Sequence, residues 1–348
     1  MGASSRENSI NSAYTPNAGY RLKPTALPGY IYFWGQVKMT RITDKEFNTA
    51  LAVMQKIVRG DRKDRERLQE HGLNLSPVNY YSNTPSISEV LESYEYKDSH
   101  PPYLDSGIFD QNKLREELGE LIPFSADFTP AEKGCEKTCR SYFWKNSQFS
   151  YSDAMSYYAY IRRIRPKAVV EIGSGFSSLI AVEALRKNGS GHLTCIEPFP
   201  RPFITSLGIE GALLLQAVPA QDITAVTLNS MLEDGDILFI DSTHTVKTGS
   251  DCLHIFLRLL PKITKRIFVH VHDIFLPFGF PQSWMIDHQY YWTEQYLLLA
   301  LLIDNPRARL LFGSAYHKHF NPDLLSQFMH GSYAAGGASV WFEYDGNR

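Results

Sequence analysis

The sequence predicts an α/β protein with a doubly wound, seven-stranded, mostly parallel sheet and a mainly helical region ahead of it. Three observations carry that expectation. After Pro166, short apolar runs rich in β-branched residues alternate with helical stretches. The runs are continuously apolar, as strands covered by helices on both faces must be. Glycines and acids gather at the ends of these runs, where open parallel sheets carry ligands.

The first strand is KAVVEIG, residues 167–173, and a helix follows over Ser177–Lys187. HLTCIE and a short helix come next, then ALLLQ and a helix over Ile223–Leu232. DILFID leads to a helix over Lys247–Leu260, and RIFVHVH leads through a long loop to a helix over Tyr290–Ile303. ARLLFG and ASVWFEY close the sheet. Only a loop is expected between these last two, so the final strand would enter antiparallel as a terminal hairpin.

Ahead of the sheet, residues 1–27 are rich in Ser, Asn and Pro and read as a flexible tail. Residues 28–144 read as an auxiliary or capping region, and 145–348 as the ligand-binding domain. Helical material runs from Lys38 to about His71. Its charged stretch mixes six basic and four acidic residues over Lys56–His71, the pattern of a solvated helix face. Prolines break residues 72–140 around short helices near Ile87–Tyr94 and Gln111–Leu121. A helix over Ser152–Ile164 carries Tyr157, Tyr158 and Tyr160, which would pack on the next unit. The auxiliary region is also a candidate surface for a homodimer.

Composition narrows the function classes. Lys and Arg total 35 against 37 Asp and Glu, a net charge of −2, so nucleic acid is not an expected partner. The polar N-terminus lacks the apolar stretch of a secretory signal, and the run Tyr296–Ile303 is too short to span a bilayer. Four cysteines are too few for a disulfide framework. A cytoplasmic enzyme with a small-molecule substrate is the expectation, and the 13% aromatic content suggests a pocket as well as a core.

Residues 169–178, VVEIGSGFSS, form a strand, a glycine turn and a helix start. Gly173 and Gly175 permit a tight turn and a close backbone approach to a ligand, beside a helix N-terminus. Ser174 and Ser177 belong to the same turn. Ser178 stands where a dinucleotide fingerprint has its third glycine, and Glu171 lies two positions before the first. Glu197 ends the next strand 24 residues after Gly173, where a carboxylate can accept hydrogen bonds from ribose hydroxyls. A plain NAD(P) domain is the competing reading. The pattern resembles the class I S-adenosylmethionine-dependent methyltransferases, whose first motif is E/D-x-G-x-G. That resemblance implies that Glu171, Gly173 and Gly175 border the methionine part of the cofactor, that Glu197 holds the ribose, and that Gln221 and Asp222 lie near the adenine.

The fourth strand ends in FIDSTH and the fifth in VHVHD. Neighbouring strand ends would bring Asp241, His272 and Asp273 together, with His244 close by. Carboxylates and imidazole at one place make a candidate site for a divalent cation, Mg, Mn or Fe, and the His donor favours the transition metals. His244, with an ordinary pKa near 6.5, is the candidate general base. The arrangement is similar to the metal-dependent O-methyltransferases acting on sugar hydroxyls of macrolides. In those, a D-x-S-H strand end supplies a ligand and a base, and Glu-Asp on the next strand supplies two more ligands. Here Thr243 replaces Ser and His272 replaces Glu. Catechol O-methyltransferases place a lysine three residues after the aspartate; His244 holds that position here, and Lys247, three further on, is a further catalytic candidate.

Plainer readings stand beside these. Asp241 is also suited to cap a following helix. His270 and His272 alternate on one strand, so both face one side and either suits a core. The aromatic segment Ile274–Asp287 reads as a lid or acceptor wall, and Tyr142, Phe143, Trp144, Tyr290, Tyr291 and Trp292 are candidate lining residues. The resulting expectation is an O-methyltransferase acting on a hydroxylated small molecule, a sugar or secondary metabolite. Its rivals are an iron oxygenase on the same fold and a cofactor-binding scaffold.

Overall fold

The computed structural model describes residues 41–347, so the tail expected over 1–27 lies outside the described residues. The chain divides into two compact units, residues 1–77 and 78–348, which leaves 78–144 in one unit with the sheet. In the first unit, α1 (Asp44–Arg59) opens on a reciprocal cap between Thr43 and Glu46, and Asp61 caps α2 (Arg62–Glu70). The mixed-charge stretch is exposed apart from half-buried Ile57, Val58 and Leu68, the solvated face that its interspersed signs predict.

In the second unit, α3 (Ile87–Glu92), α4 (Gln111–Ser125) and α5 (Tyr151–Ile164) precede the sheet. The following order is β1 (Ala168–Ile172), α6 (Phe176–Asn188), β2 (His192–Ile196), α7 (Pro202–Ile209), β3 (Leu214–Gln216), α8 (Ala225–Met231) and β4 (Ile237–Ile240). Then come α9 (Asp251–His254), β5 (Arg266–His272), α10 (Gln282–His288), α11 (Glu294–Leu302), β6 (Ala308–Gly313), α12 (Ser314–Phe320), α13 (Pro322–Phe328) and β7 (Ser339–Asp345). The seven strands form one sheet in the order β3-β2-β1-β4-β5-β7-β6, with only β7 antiparallel to its neighbours.

The unbroken apolar strands explain the layering. Successive residues of a strand face opposite sides. Val169, Phe239 and Trp341 therefore feed one core with α5 and α6, while Val170, Leu238 and Phe342 feed the other with α8 and α11. Tyr157, Tyr158 and Tyr160 of α5 are fully buried, and each hydroxyl finds a carboxylate: Tyr157 donates to Glu171 at 2.8 Å, Tyr158 to Asp127 at 2.9 Å and Tyr160 to Glu117 at 2.9 Å. These three rings are thus buried with their hydroxyls paired.

Four expectations need correction. The last two strands are not a simple hairpin: α12 and α13 lie between them, and β7 inserts between β5 and β6. The helix expected from Lys247 starts only at Asp251, because the Ser250 hydroxyl accepts the Leu253 N–H as its cap. It then continues as a π turn over Ile255–Leu259 and a 3-10 turn over Leu260–Lys262. Residues 241–250 form an open loop, so Asp241 caps no helix. Likewise α11 starts at Glu294, four residues later than expected. No helix among the described residues is long and apolar enough to cross a membrane.

Candidate active site

The glycine turn is built from the ends of β1 and β2. Gly173 has φ +91°, a conformation that suits glycine, and a Cβ there would meet the carbonyl oxygen of Asp241 well inside contact distance. The turn is thereby pressed against the end of β4. Glu197 accepts hydrogen bonds from the Ser174 N–H at 3.2 Å and the Phe199 N–H at 2.8 Å, and burial nevertheless pushes its carboxyl up. Glu171 is fully buried and takes hydrogen bonds from Tyr157 and Ser178 beneath the turn. Burial, offset in part by those donors, pushes its pKa up to about 7. Glu171 therefore braces the turn from below. Ser177 is buried beside it, and the Ser174 hydroxyl is buried without a hydrogen-bond partner among the described residues. Gln221 and Asp222 are exposed on the 3-10 turn after β3, where the Gln221 amide donates to the Gly249 carbonyl at 3.2 Å.

The second cluster sits on adjoining strand ends. Register pairs Ile240 with Val271, which sets Asp241 beside His272. His244 Nε2 lies 3.2 Å from Asp241 Oδ1 and 3.5 Å from Asp273 Oδ2. His272 Nδ1 lies 3.5 Å from Asp241 Oδ1 and 3.6 Å from Asp273 Oδ2. Ligand atoms of Asp241, His244 and Asp273 all fall within 4.8 Å of one another, a spacing that suits a cation. His244 and Asp273 both have φ +57°, in the left-handed region that non-glycine residues seldom occupy. Such strain concentrates at sites the surrounding structure over-determines.

That over-determination is visible. The His244 carbonyl accepts from the N–H groups of Thr293 (2.8 Å) and Glu294 (3.1 Å), and the His244 ring lies against Trp292. His244 Nδ1 meets Glu294 Oε2 at 2.7 Å, and the Ser242 hydroxyl donates to Glu294 Oε1 at 3.0 Å. His272 Nε2 faces Asp153 Oδ2 at 3.5 Å. Sequence reasoning missed Glu294 and Asp153, which belong to no motif and reach the site from α11 and α5. The Glu-His pairing is created only by the fold.

The charges are strongly coupled. Burial opposes ionisation of Asp241, but the imidazoles of His272 and His244 hold it well below the usual carboxylate range. Burial also opposes the His244 cation, yet Asp241 and Glu294 raise its pKa to about 10. Burial pushes Asp273 and Glu294 up despite those imidazoles. His270 is a core residue, stacked on Trp341 at 4.4 Å and driven well below the ordinary histidine value by burial. Lys247 is exposed and makes no ion pair among the described residues.

A cavity of about 1590 Å³ opens onto His272, Asp273 and Asp153. Trp144, Phe275, Phe278, Trp284 and Tyr333 supply its aromatic surface. The 274–287 segment thus contributes wall residues, and part of it folds as α10. Of the other expected lining residues, Tyr142 and Phe143 are buried in the core instead, and Trp292 packs on His244. Tyr290 stacks on Trp292, with ring centroids 5.0 Å apart.

The sheet order, the glycine turn at its switch point and the acid after β2 define the class: a Rossmann-like methyltransferase fold. Residues 170–274 match a family described as a methyltransferase domain, and the chain belongs to it. An uncharacterized protein of Archaeoglobus fulgidus is 32% identical over 169 residues, 45% of this chain and 72% of the relative. Among solved structures, an O-methyltransferase from Bacillus cereus in complex with S-adenosylhomocysteine is similar at 13% identity and a TM-score of 0.35, over 66% of this chain and 90% of that one. TomG of Streptomyces achromogenes, an O-methyltransferase involved in tomaymycin synthesis, is similar at 15% identity and a TM-score of 0.34, over 66% and 89%. Likeness at that level does not bear on the chemistry of this chain.

Proposed function

We propose that this enzyme transfers the methyl group of S-adenosylmethionine to a hydroxyl oxygen of a small molecule, a sugar or secondary metabolite, assisted by a divalent cation. The observation that carries the reading is the convergence of Asp241, His244 and Asp273 next to the glycine turn, with Asp273 and the neighbouring His272 opening onto an aromatic cavity. The donor set fits a cation: two carboxylates face one space, and the buried His272 Nδ1 beside them has no hydrogen-bond partner among the described residues. Bound there, a divalent cation would orient the hydroxyl, lower its pKa and replace the imidazolium charge that now balances the carboxylates.

In the reaction the acceptor oxygen forms a bond to the methyl carbon as the carbon–sulfur bond breaks, and the electron pair stays on sulfur. His244, left neutral once the charge of a bound cation displaces its proton, would take the hydroxyl proton at Nε2, with Glu294 holding the other ring nitrogen. Asp241 stands between the cofactor turn and the acceptor, and aromatic walls keep water out.

The test is turnover of S-adenosylmethionine with a panel of sugars, phenols and hydroxylated secondary metabolites, with and without EDTA. Product one methyl heavier, formed together with S-adenosylhomocysteine and lost on chelation, is expected. Methylation only at nitrogen or carbon would sink the hydroxyl assignment, and turnover indifferent to EDTA would sink the cation.

A further inference from the structure

We infer that two buried carboxylate–imidazole pairs divide the labour of this site: Asp153 positions His272 as a cation ligand, and Glu294 positions His244 for the proton. The inference rests on the functional reading above and adds to it two residues that no motif marks.

The two imidazoles are built differently. Both are 5% exposed, but His272 Nδ1 is buried without a hydrogen-bond partner among the described residues, 3.5 Å from Asp241 Oδ1 and 3.6 Å from Asp273 Oδ2. A buried ring nitrogen left unpaired costs free energy unless something else satisfies it. Its outer nitrogen faces Asp153, the arrangement in which a carboxylate fixes the orientation of a metal-bound histidine. His244 instead makes a close contact at each nitrogen, Glu294 at 2.7 Å and Asp241 at 3.2 Å, and its ring is held against Trp292. An imidazole so held keeps its inner nitrogen beside the carboxylates, 3.5 Å from Asp273 Oδ2 as well, where a hydroxyl proton would arrive.

Asp153 does more than face His272. It accepts hydrogen bonds from the Ser314 hydroxyl at 2.6 Å and the Ala338 N–H at 2.9 Å, and a Cβ on Gly337 would collide with its carboxylate. Gly337 and Ala338 line the aromatic cavity. One buried carboxylate therefore joins the cation site to the acceptor wall. An imidazole donor also favours Mn, Fe, Co or Zn over Mg, which prefers oxygen ligands.

The experiment needs no acceptor. The full chain is titrated calorimetrically with Co²⁺, Mn²⁺ and Mg²⁺ as probes, and the visible absorption of the Co²⁺ form is recorded. Wild type should bind Co²⁺ and Mn²⁺ more tightly than Mg²⁺. D153N should weaken Co²⁺ binding by about 10- to 100-fold, the range for carboxylates behind a ligand. H272N should weaken it at least as much, shift the Co²⁺ bands and reduce the preference over Mg²⁺. E294Q and H244N should leave the bands in place and the Co²⁺ affinity within about threefold, well short of that range. Equal losses in H244N and H272N would overturn the division, as would an H272N spectrum identical to wild type. If D153N fails to fold by circular dichroism, the H272N and H244N pair still decides. Wild type that binds none of the three ions would remove the cation from the functional reading itself, an outcome distinct from a failed division of labour.

Discussion

The two halves of this site are assembled in different ways. The cofactor half is local: Glu171, Gly173 and Ser178 lie within eight consecutive residues, and Glu197 joins them from the neighbouring strand. The chemical half collects Asp153, Asp241, His272 and Glu294 from α5, the loop after β4, β5 and α11. Local geometry is a property of a short peptide and its turn, so it survives distant change. A cluster held by long-range packing depends on every element that aims at it.

Removing a distant packing residue is the strongest way to separate the halves. Trp341 is fully buried and stacks on both His270 and Tyr160 beneath the chemical half. W341A should cost about 3–5 kcal/mol of stability. Calorimetry on the folded fraction should show cation binding weakened more than S-adenosylhomocysteine binding; the reverse order would break the comparison.

Within the chemical half, D241N should lower the rate of methyl transfer by on the order of 100-fold, because the reacting groups lose their alignment. The affinity for S-adenosylhomocysteine should change far less. Single-turnover rates and a binding isotherm measured on the same preparation check this.

The cofactor half carries its own titration. Burial raises the Glu171 pKa from 4.5 to about 7, so the folded state holds a proton that the unfolded state releases first. The favourable contribution is full below about pH 4.5, and it is lost as pH rises towards 7, by on the order of 2–3 kcal/mol. Thermal melting of wild type and E171Q across that window should show a steeper decline in wild type. Parallel curves would mean that the carboxyl ionises freely within the fold.

The smallest effect is expected at the seam. G173A places a side chain at φ +91° against the Asp241 carbonyl, a strain of about 1–3 kcal/mol. S-adenosylhomocysteine affinity should fall roughly tenfold, the equivalent of about 1.4 kcal/mol. Because the turn touches Asp241, cation binding should weaken slightly as well; no change there would mean that the halves are independent.

Periodicity and punctuation in the sequence were enough for the strands, their parallel sense and the strand-end acids, because a buried strand must be apolar along its whole length and a tight turn needs glycine. Asp241, His244, His272 and Asp273 were readable as candidates for the same reason: each follows or ends an apolar run. The insertion of β7 between β5 and β6 was not readable, since α12 and α13 are short and leave little helical pattern. Nor was the start of α9, where Ser250 and Asp251 outweigh the helical texture from Lys247 onward. Tertiary structure alone decided that His270 packs as core while His272 faces the acids. It also supplied Asp153 and Glu294, carboxylates like any others in the sequence until packing buries each against one imidazole. Local pattern records what a segment needs from its own neighbours, whereas the charge around a buried group is contributed by segments that meet only when the chain has folded.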